Sequence, residues 1–166
     1  MAIRIEQAGA ADAEDIWVIL APVFGAGETY AVPRGMSRAE ALAYWLAPEK
    51  IVFVARAEGR ICGTYYLRAN QAGPGAHVAN CGYITAAWAQ GRGVARAMCA
   101  HSVAQARARG FRAMQFNLVA SSNFRAVKLW QDMGFAIVGT LPGAFSHPVL
   151  GDVDAYVMYR KLGDEA

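Results

Sequence analysis

With 166 residues, 55% hydrophobic and 17% charged, the chain has the length and composition of one folded domain, residues 1–166, and not of a disordered polymer. No apolar run reaches the length of a membrane span; the longest, IWVILAPVF at 16–24, is interrupted by Pro22. A net charge of +3 without any basic run or nucleic-acid motif leads us to expect neither a nucleic-acid nor a membrane partner.

Residues 3–7 alternate Ile3 and Ile5 with Arg4 and Glu6, the period of a strand. Asp12 reads as the N-cap of a helix carrying Ile16, Ile19, Leu20 and Val23 on one face. GAGETYAVPRGM, 25–36, is turn-rich and reads as a loop. Ser37 and Glu40 form a capping box for a second helix, which ends before Pro48. Residues 51–70 are two apolar β-runs around a Glu58-Gly59 turn, AGPG at 72–75 is another turn, and 77–85 is a further strand.

AWAQGRGVARAMCAH, 87–101, passes through a turn with two glycines into a helix that runs to Arg109 and stops at Gly110. A strand at 112–120, a helix at 122–134 closed by Gly134, and two last strands, FAIVGTL and DAYVMYRKL, follow. The order is β α α β β β α β α β β. The central βαβ unit requires a right-handed crossover and parallel pairing, whereas the hairpins on either side are antiparallel. The expected architecture is a mixed sheet with helices on both faces.

The cysteines, Cys62, Cys81 and Cys99, are odd in number and far apart, which argues against disulfides. Cys99 and His101 are two residues apart on a helix and point in different directions, so no metal site is expected. The start, MAIRIEQ, lacks the apolar core of a signal peptide, and a cytoplasmic location is the expectation.

Charge is unevenly spread. From Gly59 to Gln131 there is no acid, while Arg60, Arg68, Arg92, Arg96, Arg107, Arg109, Arg112, Arg125 and Lys128 fall in that window. Most of these suit a solvated helix surface, but the segment as a whole favours a small polyanion. The turn before the third helix fits that partner. A helix start has unpaired N–H groups and a partial positive charge, and glycine lets an anion reach them. Gln90, Gly91, Arg92, Gly93, Val94 and Ala95 therefore form a phosphate cradle, with Arg92 and Arg96 adding charge. Position 96 breaks a dinucleotide-binding fingerprint, and the Lys-Ser/Thr pair of a P-loop is absent.

Gln90, Gly93 and Ala95 fill the fixed positions of Q/R-x-x-G-x-G/A, and the segment resembles the signature of the GCN5-related N-acetyltransferases, the GNAT family. A second family pattern, N-x-x-A-x-x-L-Y-x-x-x-G-F, is met by Asn123, Ala126, Leu129, Gly134 and Phe135, with Trp130 in the Tyr position. The resemblance runs from the first strand to the last. It implies the GNAT fold, of α/β (α+β) class: a mostly antiparallel sheet of six to seven strands, splayed between two central parallel strands.

It also implies acetyl-CoA as cosubstrate. Its pyrophosphate would lie on the amides of 91–96, its pantetheine arm along the strand at Tyr83, Ile84 and Thr85, and Asn123 would bond the pantetheine region. Asn123 reads equally as a helix N-cap. The implied activity is N-acetyl transfer to a primary or secondary amine, a small molecule such as an amino acid or an analogue. A backbone N–H near Ile84 or Thr85 would polarise the thioester carbonyl.

Members of the family use the Tyr of the second pattern to protonate the leaving thiolate. Trp130 has no such proton, leaving Tyr83, Tyr156 and Tyr159 as donors by residue type alone. Glu28, in the loop that contacts acceptors in the family, is the candidate base, and Asp154, beside Asp152 before the last strand, is a second carboxylate. Each reads also as a loop or turn carboxylate. Asn117 sits in MQFNLV, a buried-looking strand, and needs a partner, either a backbone group at the splay or the acceptor. The alternative function is a non-catalytic domain that binds or senses an acyl-CoA, as Trp130 would allow. A homodimer is compatible with the sequence.

Overall fold

A computed structural model of the chain describes residues 1–163. Its elements are β1 (Arg4–Gln7), α1 (Ala13–Ala26), α2 (Arg38–Trp45), β2 (Ile51–Ala57), β3 (Arg60–Ala69), β4 (Val78–Thr85), α3 (Val94–Ala108), β5 (Ala113–Ala120), α4 (Phe124–Asp132), β6 (Ala136–His147) and β7 (Gly151–Lys161). The strands form one seven-stranded sheet in the order β1-β2-β3-β4-β5-β7-β6. Every pairing is antiparallel except β4 with β5. The expected fold class and element order hold.

Helices cover both faces because each strand alternates its side chains across the sheet. On one face Thr64 of β3 accepts a hydrogen bond from the α2 indole, Trp45 Nε1 to Thr64 Oγ1, at 3.1 Å. On the other, the Tyr65 hydroxyl meets His101 Nδ1 of α3 at 2.7 Å. Trp45, Tyr65, Phe24, Ile16 and Leu20 are among the largest fully buried side chains, so the core straddles the sheet.

One local expectation is corrected. Ile16, Ile19, Leu20 and Val23 do share the α1 face that packs on the core, and Phe24 extends it. Asp12 does not cap α1 with its side chain. Instead it reaches back to the Gly9 N–H at 2.9 Å and forms an ion pair with Arg56 of β2 at 2.5 Å. A single 3-10 turn at Ala10–Asp12 leads into the helix, and Asp12 closes the start of that turn through the Gly9 N–H. By contrast, Ser37 and Glu40 bond each other reciprocally at the start of α2, as a capping box requires. All three cysteines are free and buried. No helix among the described residues is long and apolar enough to cross a membrane.

Candidate active site at the splayed strands

The two parallel strands meet for only two residue pairs, Val78 with Ala113 and Ala79 with Met114. Beyond them β4 runs on to Thr85 and β5 to Ala120 without pairing, so the sheet opens between 80–85 and 115–120. A bulge in β5, where its register with β7 shifts between Phe116 and Val119, supplies the bend. Asn80, buried, spans the apex of the opening: its Nδ2 donates to the Gln115 carbonyl at 3.0 Å, and its Oδ1 accepts from Arg68 Nε at 3.3 Å.

Along β4 the ladder alternates. Val78 accepts from Asn70 and Ala86 donates to Cys62, so these backbones face β3, and the groups of Cys81, Tyr83 and Thr85 face the opening. Tyr30, from the loop after α1, reaches in from the α1–α2 face and donates its hydroxyl to the Tyr83 carbonyl at 3.0 Å. Burial pushes the Tyr30 phenol well above its ordinary pKa, so it is a neutral donor. A Cβ on Gly82 would stand 2.6 Å from the Tyr66 ring and 2.9 Å from the Tyr30 hydroxyl, so only glycine admits Tyr30 here.

The far end of the opening meets the start of α3. Gly93 caps that helix at φ 83° and Gly91 lies at φ 73°, both in the left-handed region that disfavours L side chains. A Cβ on either would meet nothing within 4 Å, so the turn is open at both glycines, and the first-turn amides of Val94, Ala95 and Arg96 have no carbonyl partner within the helix. Arg92 and Arg96 pair with Glu58 at 3.5 Å and Asp132 at 3.3 Å. Both pairs are half-exposed and weak, so an incoming anion competes for either guanidinium. Between the start of α3 and α4 a groove of about 380 Å³ is lined by Arg96, Arg125, Lys128, Leu129, Asp132 and Phe124, which is 78% exposed.

Asn123 caps α4, its Oδ1 accepting from Ala126 N at 3.3 Å. Beside it the Ser122 hydroxyl is buried with no hydrogen-bond partner among the described residues. A bare cradle, an open strand edge and this orphaned hydroxyl lie along one path, which fits a long thin ligand with an anionic middle. Sequence reasoning missed Asn80, Ser122 and Tyr30 as parts of the site. Burial of a polar residue inside the strand run VANCGYIT was the available signal for Asn80.

The side of the opening nearest α3 and α4 is closed by aromatic rings. Trp130 is buried, 5.0 Å from Tyr83 and 5.2 Å from Phe116 between ring centroids. The Tyr83 hydroxyl lies 2.7 Å from Ser102 Oγ, which itself donates to the Cys99 carbonyl at 2.8 Å, so Tyr83 is the donor of that pair. Burial pushes this phenol far up as well.

A cavity of about 190 Å³ lies between the α1–α2 loop, through Gly27, Tyr30 and Arg34, and β6, through Ala144, Phe145 and Ser146. Glu28 is exposed in that loop, between two residues that line the cavity. Asp152 pairs with Ser146 in the β6–β7 ladder, and Asp154 accepts from the Gly143 N–H at 2.9 Å, holding the bulged part of β6. Asn117 departs from expectation. It is exposed, and its partners are neither backbone nor acceptor: it donates to Asn70 Oδ1 at 2.7 Å and accepts from Gln115 Nε2 at 3.0 Å. The bulge that bends β5 turns it outward. Tyr156 and Tyr159 lie on β7, half-buried. Among the described residues no group of His, Cys, Asp and Glu is placed to hold a metal ion.

Residues 14–135 match the family model described as acetyltransferase (GNAT) family. A solved GCN5-related N-acetyltransferase from Kribbella flavida is 41% identical, with a TM-score of 0.92 over 96% of this chain and 98% of that one. A phosphinothricin acetyltransferase from Sinorhizobium meliloti, solved in complex with AcCoA, shares the fold at a TM-score of 0.86 and 22% identity, over 98% of this chain and 90% of its own. The N-acetyltransferase aca1 of Schizosaccharomyces pombe is 28% identical over 100 residues, which are 58% of this chain. That alignment spans about half of the relative, 47% of its length. The chain belongs to the GNAT acetyltransferase family.

Proposed function

We propose that this GNAT acetyltransferase is an acetyl-CoA-dependent N-acetyltransferase whose acceptor is a small primary or secondary amine, an amino acid or analogue. The observation that supports the reading is the opening between β4 and β5: the bare start of α3 follows the end of β4, and Tyr30, which donates to the Tyr83 carbonyl inside the opening, also lines a small cavity. In this reading the amides of Val94, Ala95 and Arg96, with Arg92 and Arg96, hold the pyrophosphate. The exposed backbone edge at Cys81, Tyr83 and Thr85 takes the pantetheine arm as an added strand, and Asn123 and Ser122 lie beside it.

Acetyl-CoA, when bound, supplies an already activated acyl thioester. The chain's own tasks are to place the amine, take its proton and support charge on the carbonyl oxygen. The unpaired β4 backbone N–H groups are donors for that oxygen. The cavity under the Tyr30 loop receives the amine, and Glu28 on that loop is the candidate proton acceptor, directly or through water. Asp154 supports the wall of the cavity through Gly143, which makes it a positioning residue in this scheme. A cavity of about 190 Å³ suits a compact acceptor better than a peptide.

The test is release of free CoA thiol on adding a panel of small amines, with binding of CoA followed separately by thermal shift. Amine-dependent thiol release is the expected result. Stabilisation by CoA with no release for any amine would establish a binding module instead.

A further inference from the structure

The face of the sheet under α1 and α2 carries two cations, Lys50 and Arg68. Lys50 stands just before β2 with its Nζ 3.6 Å from the centroid of the Tyr44 ring and 4.4 Å from that of Tyr66, and it donates to the Tyr44 carbonyl. Arg68 follows Tyr66 by two residues on the same face of β3, and its Nε donates to the neutral amide of Asn80 at 3.3 Å. Among the described residues neither Lys50 nor Arg68 belongs to an ion pair.

Burial, and then the charge of Arg68, lower the Lys50 ammonium to about 8, against which Glu49 offers a lesser, opposing pull. Half-burying two like charges side by side is unfavourable without a counter-charge. Aromatic faces at Tyr44 and Tyr66 stabilise the ammonium only in part.

The position is as informative as the charge. Arg68 touches Asn80, and Asn80 spans the apex where β4 leaves β5. Tyr66 lies across from Gly82, the residue that makes room for Tyr30. The cations therefore flank the opening on the face from which Tyr30 enters, one side chain away from its apex.

We propose that Lys50 and Arg68 form an anion-binding subsite that reads a carboxylate carried by the acceptor. The subsite would anchor the acid while the amine points into the opening, and would disfavour polyamines and protein lysines, which bring further positive charge. The link to acetyl transfer rests on the function proposed above; the affinity of the pair for a carboxylate does not.

The first measurement uses the protein without turnover. The chain has three lysines, Lys50, Lys128 and Lys161. An amine-reactive label applied near pH 8 and mapped by mass spectrometry reports each one. A bound carboxylate restores roughly one pKa unit or more to Lys50, so saturating propionate should slow its labelling about tenfold. Propionamide, or chloride at equal ionic strength, should not slow it. Lys128 and Lys161 are internal controls, and Arg68→Gln should abolish the protection. Equal labelling of Lys50 with and without propionate overturns the subsite, as does equal protection by propionamide.

The second measurement compares kcat/KM for small amino acids with their carboxamides. The free acids should be preferred by tenfold or more, and Lys50→Met or Arg68→Gln should erase the preference by lowering kcat/KM for the acid alone. Protection by propionate with no turnover of any amine leaves the subsite standing and removes the acetyltransferase reading. Turnover that ignores the carboxylate does the reverse.

Discussion

Replacing Gly93 separates the two properties that the start of α3 combines. The residue caps the helix at φ 83°, and a Cβ there would meet nothing within 4 Å. Gly93→Ala therefore introduces backbone strain and no clash. The left-handed conformation costs an L residue about 1–2 kcal/mol, which for a domain of this size lowers Tm by roughly 2–8 °C. Gly93→Asp carries a similar strain and adds a negative charge at the mouth of the cradle. A unit charge about 4 Å from another contributes roughly 1 kcal/mol of repulsion in water and about 4 kcal/mol near a protein surface. Against the two charges of a pyrophosphate the penalty is roughly 2–8 kcal/mol, a loss in CoA affinity of about thirtyfold at the very least. Calorimetric titration of CoA into both variants, beside thermal melts, is the assay. We expect similar melts for both and a collapse of affinity for Asp alone. Binding by Gly93→Asp within about threefold of the unsubstituted protein would refute the cradle. An equal loss in Gly93→Ala would show that helix geometry, and not charge, controls the site.

Two further outcomes follow from the acceptor end and from the fold. Glu28→Gln keeps the shape of the loop side chain and removes its proton-accepting role; kcat should fall by roughly 10²–10⁴ with CoA binding intact, and wild-type turnover at neutral pH would remove Glu28 from the mechanism. Asp12→Asn tests the pair with Arg56. Burial works to raise the Asp12 pKa, but the hydrogen bonds from Gly9 and Arg56, with the Arg56 charge, hold it below the ordinary 3.8. A carboxyl lowered in the folded state contributes stability that is complete above its unfolded pKa and disappears as pH falls through the folded value. The variant should thus lose about 1–2 kcal/mol at pH 7 by urea unfolding, with the gap shrinking below pH ~4. A constant gap from pH 7 to pH 3 would remove the ion pair as its cause.

What could be read in the sequence was what short range controls. The Ser37–Glu40 capping box spans three residues, and the glycines of the cradle sit beside the helix they open, so both were legible from spacing. Asp12 was not, because the group that claims it, Arg56, is 44 residues away. Asn117 looked like part of a buried strand because period-two alternation predicts no bulge. The register shift between Phe116 and Val119 is set by pairing with β7, and it is this shift that exposes the amide. Tyr30 was invisible for the same reason: its partner, the Tyr83 carbonyl, lies 53 residues on and is free for it only because β5 has left.

The Trp130 substitution makes sense once the two faces of the opening are considered separately. On the α3–α4 side Trp130, Phe116 and Phe135 close around Tyr83; Phe116 and Phe135 stack with centroids 4.3 Å apart. The Tyr83 hydroxyl spends its proton on Ser102, and Ser102 spends its own on the Cys99 carbonyl. A chain of donors that ends in a helix carbonyl has no proton to pass inward, so that wall serves as a dry support. The opposite side holds the neutral Tyr30 hydroxyl, the amides of Asn80 and Asn117, and the cations Lys50 and Arg68. These polar groups gather on the α1–α2 face, opposite the rings of Trp130, Phe116 and Phe135. A tyrosine at position 130 would place a hydroxyl inside the aromatic wall, where it would need a partner of its own. Trp130 instead fills that wall with apolar area, and its ring packs at a tilt against Tyr83 with centroids 5.0 Å apart. The proposed function accordingly uses the whole opening for binding and the α1–α2 face alone for proton handling.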